Sequence, residues 1–284
     1  MQANGPIGLF DSGVGGLTVA RAVAQRLPHR QLLYFGDTAH LPYGDKSPEA
    51  IQSYSIAIAD YLLARGAVAI VIACNTASAV AYNALRAHVP AHIPIINVID
   101  PVVAAVAQTY RTQTTPPNVG VIGTRGTIGS GIYPARINAA GVPGTVHALA
   151  TPLLVPIIEE GLAHSEILRA TLHHYLAQPE LQGIDTLIPG CTHYPLLTDE
   201  IRTFFAERNT PITLIDAPTV VADAVARALE PDGPEHTAAT PPQSLQSPQT
   251  THAPHRFFVS DYTPTFERIA QQFFGDVVTL ELAH

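Results

Sequence analysis

Short, almost uninterrupted apolar runs recur along the chain: Ile7 to Phe10, Leu32 to Phe35, Val68 to Ala73, Ile95 to Val98, Val119 to Ile122, Val146 to Leu149, Thr186 to Ile188 and Ile212 to Ile215. Runs of this length without polar alternation suit strands covered on both faces. Between them lie mixed stretches with helix-start signals. At Ser47-Pro48-Glu49 a capping hydroxyl precedes a proline at the first helical position, and a helix running towards Ala64 is expected. Strand and helix alternating in this way predict βαβ units, parallel sheets and an α/β fold.

The two halves of the pattern can be overlaid by role. Ile7 to Phe10 followed by Asp11-Ser12-Gly13 matches Gly120 to Gly123 followed by Thr124-Arg125-Gly126. Ala69 to Ala73 followed by Cys74-Asn75-Thr76 matches Thr186 to Gly190 followed by Cys191-Thr192-His193, and Ile95 to Val98 matches Thr213 to Asp216. The matches keep the same order at a nearly constant separation. They predict two similar lobes, each an open, mostly parallel sheet flanked by helices, with a cleft between them. The chain is expected to cross near Asp100-Pro101 and return near Asp216. That makes residues 1–99 and 213–284 a discontinuous first lobe and residues 100–212 the second. Residues 231–255, rich in Pro, Ser, Thr and Gln, read as a mobile surface loop. A strand (Arg256 to Ser260) and a helix (Thr263 to Phe274) are expected to follow, so the loop lies within the first lobe.

Composition narrows the partners. With 284 residues, 46% hydrophobic and 13% charged, the chain has enough material for two packed cores. A net charge of −8 repels phosphate backbones and anionic lipid, which argues against nucleic-acid or membrane partners and for a small molecule. The longest weakly charged stretch, Gly66 to Leu85, is broken by Asn75, Thr76, Ser78 and Asn83. The opening Met1-Gln-Ala-Asn-Gly5 has no basic region, and Asp11 interrupts the first apolar run, so a cytoplasmic protein is expected. Two cysteines far apart in sequence read as reduced thiols.

Four strand-to-helix turns are polar: Asp11-Ser12-Gly13, Cys74-Asn75-Thr76, Thr124-Arg125-Gly126-Thr127 and Cys191-Thr192-His193. Ligands of open α/β sheets bind at such turns, where helix N-termini offer free amides to carboxylates and lower the pKa of a thiol. A single Cys closing a strand is most simply a small core residue, and a single Asn or Thr there a helix cap. Two equivalent turns each offering a Cys beside polar donors are not explained by packing. Gly13-Val14-Gly15-Gly16 fits a dinucleotide loop poorly, because Asp11 would oppose a pyrophosphate. Beyond the Cys191/His193 pair neither Cys has a second thiol or His at zinc-ligand spacing, and a Cys–His hydrolase leaves the second Cys unused. Thiols on opposite sides of a cleft suit inversion of a carbon stereocentre, one group removing a proton and the other supplying one. Reacting distances place them about 7 Å apart, too far for a disulfide. Asp11 beside Cys74, and Glu159 and His193 beside Cys191, are candidate tuning groups.

The motifs Phe10-Asp-Ser-Gly-Val-Gly-Gly-Leu17, Gly36-Asp-Thr38 with Pro42-Tyr-Gly44, Ala73-Cys-Asn-Thr-Ala-Ser-Ala79, Gly123-Thr124 with Gly126-Thr-Ile128, and Gly190-Cys-Thr-His-Tyr-Pro-Leu196 resemble the glutamate racemases of the aspartate/glutamate racemase family. The similarity spans nearly the whole chain. It implies a two-lobed fold and cofactor-independent interconversion of L- and D-glutamate for peptidoglycan synthesis, with Cys74 and Cys191 as acid/base catalysts. The same motifs imply substrate contacts at Asp11, Ser12, Tyr43, Gly44, Asn75, Thr76, Thr192 and His193, with Thr124 and Thr127 as further contacts. A homodimer is expected. His40-Leu41 and Thr151 stand where the family commonly has Arg-Val and Cys, and residues 231–255 resemble an insertion. Alternatives are a racemase for aspartate or another amino acid, a member with an added DNA gyrase-inhibiting role, and a thiol redox pair.

Overall fold

The computed structural model describes residues 5–111, 115–230, 254–275 and 278–283. The expected loop at 231–255 falls almost entirely outside them. In chain order, β1 (Ile7–Asp11), α1 (Leu17–Arg26), β2 (Leu32–Gly36), α2 (Pro48–Ala64), β3 (Ala69–Ile72), α3 (Asn75–His88), β4 (Ile95–Asn97) and α4 (Ile99–Tyr110) come first. There follow β5 (Asn118–Gly123), α5 (Arg125–Gly129), α6 (Ile132–Ala139), β6 (Thr145–Ala150), α7 (Leu154–Glu159), α8 (Glu166–Leu176), β7 (Thr186–Gly190), α9 (Thr198–Glu207) and β8 (Thr213–Leu214). Last are α10 (Ala217–Leu229), β9 (Arg256–Val259), α11 (Pro264–Phe274) and β10 (Leu280–Leu282). No helix among the described residues is long and apolar enough to cross a membrane.

The strands form two parallel sheets, ordered β10-β9-β2-β1-β3-β4 and β6-β5-β7-β8. The four-stranded order repeats the β2-β1-β3-β4 stretch of the six-stranded one, with β1, β2, β3 and β4 equivalent to β5, β6, β7 and β8. This is the correspondence that the overlaid motifs imply. Strands β1, β2, β3 and β7 are buried at every position, which explains their uninterrupted apolar sequences. In each sheet the chain steps from the first strand to one side and then returns to the other. The carboxyl ends of β1 and β3, and of β5 and β7, therefore flank a topological switch point, where open α/β sheets bind ligands.

One apolar core runs through both halves, joining Leu9, Val71 and Val19 with Val121, Leu187 and Ile201 through Val102 of α4 and Val221 of α10. A second core packs α2 and α3 on the other face of the first sheet. The boundary expected at residue 213 needs correction. Thr213 and Leu214 pair with Thr186 and Leu187, so this strand completes the second sheet and the chain returns after it. The expected strand Ile212 to Ile215 shrinks to two residues, and the short edge strand β10 has no counterpart in the sequence reading.

Candidate active site

Asp11 ends β1 with its carboxylate completely buried, and its Oδ2 accepts a hydrogen bond from the Gly16 amide at 2.8 Å. Cys74 follows β3 and is the N-cap of α3: its Sγ accepts from the Ala77 amide at 3.4 Å and lies 3.7 Å from Ser12 Oγ. The helix terminus was expected to lower the thiol's pKa. Instead burial, reinforced by the negative charge of Asp11, pushes the Cys74 thiol up to about 12, and the hydrogen bonds from Ala77 and Ser12 offset this only in part. Cys74 is a thiol at neutral pH.

Cys191 has different surroundings. It follows β7 and leads through a 3-10 turn, Tyr194–Leu197, into α9. His193 Nδ1 is 3.7 Å from Cys191 Sγ, while its Nε2 is 3.0 Å from Glu159 Oε1 at the end of α7. The ring is buried and packs edge-on against Phe273 at 5.1 Å. Burial disfavours the imidazolium, but hydrogen bonds and charges from Cys191 and Glu159 prevail and push His193 up to about 10. Cys74 thus faces an anion and Cys191 a cation that can donate a proton to sulfur.

One cleft is lined by both thiols and by Asp11, Ser12, Tyr43, Gly44, Asn75, Thr76, Thr124, Glu159, Thr192 and His193. The sequence-expected site therefore assembles with one exception. Thr127 is buried behind the lining, where its hydroxyl is 3.1 Å from those of both Thr76 and Thr124, so it positions them instead of facing the cleft. Gly13, Leu41, Pro42 and Val155 join the lining; the first three lie in or beside the motifs, and Val155 carried no signal in the sequence. Tyr43 donates its hydroxyl to buried Asp37 at 2.6 Å, and Asp37 is also bonded by His40 and Ser260. The unusual His40 therefore supports the site from outside and stacks on Tyr54 at 4.0 Å. Thr151 is likewise behind the cleft, 2.5 Å from the Tyr194 hydroxyl. Thr18 ties the halves together by donating to the Thr192 carbonyl at 2.9 Å.

Burial lifts the Asp11 carboxyl above the usual carboxylate range, against the opposing pull of His193 and of the Gly16 and Ser12 amides. Among the described residues its Oδ1 has no hydrogen-bond partner. A pKa raised above 3.8 gives stability that is complete below that value and lost as pH rises through the folded value, so the charged form is a cost at neutral pH. Asp11→Asn is expected to raise the melting temperature at pH 7 while lowering kcat/KM by roughly 100-fold. Thermal scans beside rate measurements check this, and a less stable variant contradicts it.

A family model for Asp/Glu/hydantoin racemases matches residues 17–225, most of the chain. The chain belongs to this family. This racemase is 39% identical over 270 residues to the glutamate racemase of Syntrophus aciditrophicus (strain SB), covering 95% of this chain and 93% of that protein. Among solved structures it resembles glutamate racemase from Francisella tularensis in complex with D-glutamate. The TM-score is 0.84 and the identity 31%, with 99% of this racemase and 98% of that chain covered. It also resembles a glutamate racemase isoform from Bacillus anthracis, with a TM-score of 0.85 and 32% identity over 100% of this chain and 98% of that one.

Proposed function

We propose that the protein interconverts L- and D-glutamate by proton transfer at the α-carbon, without a cofactor, with Cys191 and Cys74 as the two acid/base groups. The observation that carries this reading is the placement of two thiols, from equivalent turns of two sheets, along one cleft. A stereocentre is inverted when one sulfur takes the α-proton and the other gives its own proton to the opposite face. The opposed electrostatics suit that division: starting from L-glutamate, Cys191 removes the proton and Cys74, a thiol at neutral pH, supplies one. The reverse direction exchanges the roles. Asp11 is the anion available to the substrate ammonium. The amides opening α3 and the hydroxyls of Thr76, Thr124 and Thr192 are donors for carboxylates. The same reading gives a cytoplasmic source of D-glutamate for peptidoglycan and, on family resemblance, a homodimer.

The test is conversion of each glutamate enantiomer by the purified protein, pre-treated with chelator and given no cofactor. Both directions should approach an equimolar mixture. Aspartate, shorter by one methylene, should react roughly 10- to 100-fold less efficiently. Lack of turnover, or a requirement for added metal or pyridoxal phosphate, would overturn the proposal.

A further inference from the structure

Asn75 stands next to Cys74 and lines the cleft, yet its side chain can present either a donor or an acceptor there. Turned with nitrogen inward it attracts a carboxylate, whereas turned with oxygen inward it repels one. The choice is made from the other half of the molecule. Tyr133, on α6, is buried and outside the cleft lining, and its hydroxyl donates to Asn75 Oδ1 at 2.7 Å. Among the described residues the Asn75 amide nitrogen makes no hydrogen bond, which leaves it for the cleft. Burial holds the Tyr133 phenol above its ordinary pKa, so it remains a donor at working pH.

The ring of Tyr133 is itself fixed by the strand that carries the other thiol. A Cβ added at Gly190, the last residue of β7, would lie 3.2 Å from Tyr133 Cε2. One side chain thus packs on the strand leading to Cys191 and sets the amide beside Cys74. Asn75 is held in its carboxylate-binding orientation only while α6 and α3 keep the spacing that this hydrogen bond requires.

We infer that Tyr133 is a positioning residue, whose hydroxyl orients the Asn75 amide so that its nitrogen meets a substrate carboxylate. This rests on the glutamate racemisation proposed above. The carboxylate is present in the ground state and the transition state alike, so the lost orientation appears in KM and not in kcat. Tyr133→Phe should raise KM for both enantiomers about 10-fold and change kcat by less than about 3-fold, an effect typical of losing one charge-assisted hydrogen bond.

A double-mutant cycle separates positioning from general support of the fold. In an Asn75→Ala background, Tyr133→Phe should change KM by less than about 2-fold, because no amide remains to be oriented. An undiminished effect in that background, an unchanged KM in the single variant, or a loss confined to kcat overturns the assignment. In the unaltered protein, nuclear magnetic resonance of the Asn75 side-chain amide provides a second measurement that needs no variant to fold. Its signal should shift when D-glutamate is added, and a static signal overturns the assignment. Wild-type protein that racemises no glutamate overturns both readings, whereas an active wild type with either contrary result overturns this one alone.

Discussion

Replacing either cysteine by serine should reduce racemisation by at least about a thousandfold and leave the protein folded. An alcohol is a far weaker acid than a thiol, so the altered side of the cleft loses both its base and its acid. Stability should be retained, because serine caps a helix well and can accept the Ala77 amide that Cys74 accepts in α3. The surviving sulfur still faces one enantiomer. In D₂O, Cys74→Ser should exchange the α-hydrogen of L-glutamate faster than it racemises, and Cys191→Ser should do the same with D-glutamate. The wash-in of deuterium, followed by mass spectrometry beside chiral chromatography, reads both quantities. Near-native racemisation by either folded variant would sink the two-thiol mechanism. Reversed enantiomer preference would overturn only the assignment of faces.

Gly15→Ala should also be strongly damaging, although Gly15 has no side chain with which to do chemistry. A Cβ there would lie 2.4 Å from His193 Cε1, 2.5 Å from His193 Nδ1 and 2.7 Å from Thr192 Oγ1. The imidazole cannot simply swing aside, because Nε2 is held by Glu159 and the ring packs on Phe273. Either His193 leaves Cys191 or the α1 turn and the β7 turn separate. Misplacement by about 1 Å at a reacting group costs about 100-fold, and that is the loss expected in kcat/KM. Gly129→Ala is the control: its added Cβ meets nothing within 4 Å, and helix propensity favours alanine. Wild-type kinetics for Gly15→Ala would show that the turns do not approach this closely during turnover.

Both variants probe features that differ in how visible they are in the sequence. Strands β1, β2, β3 and β7 could be read because burial on two faces demands apolar residues at consecutive positions. The cysteine pair could be read because duplication set two chemically similar turns in matching order. The sign of the Cys74 shift could not be read, since it depends on how deeply the thiol itself is buried and, after that, on the charge of Asp11 beside it. Thr127 carries the same motif signal as Thr124, and only the direction of its side chain places it behind the cleft. Tyr133 and Thr18 stand out in no local pattern, because each acts through one hydrogen bond to a residue remote in sequence. Strand β8 has the composition of an equivalent of β4, but its hydrogen-bonding partner decides which sheet it completes.

The six-stranded sheet also bears on how the chain is made. Strand β2 is flanked by β1 and β9, and β9 begins at Arg256, long after β2 ends at Gly36. On a ribosome elongating at about 5–20 residues per second, those roughly 220 intervening residues take about 10–40 s to appear. During that interval the four-stranded sheet can be completed while β2, apolar on both faces, keeps one edge open. An unpaired apolar edge is a template for pairing with another chain. The nascent polypeptide is therefore most exposed to aggregation at Leu32–Gly36, and chaperone dependence during synthesis should end when Arg256–Val259 emerges.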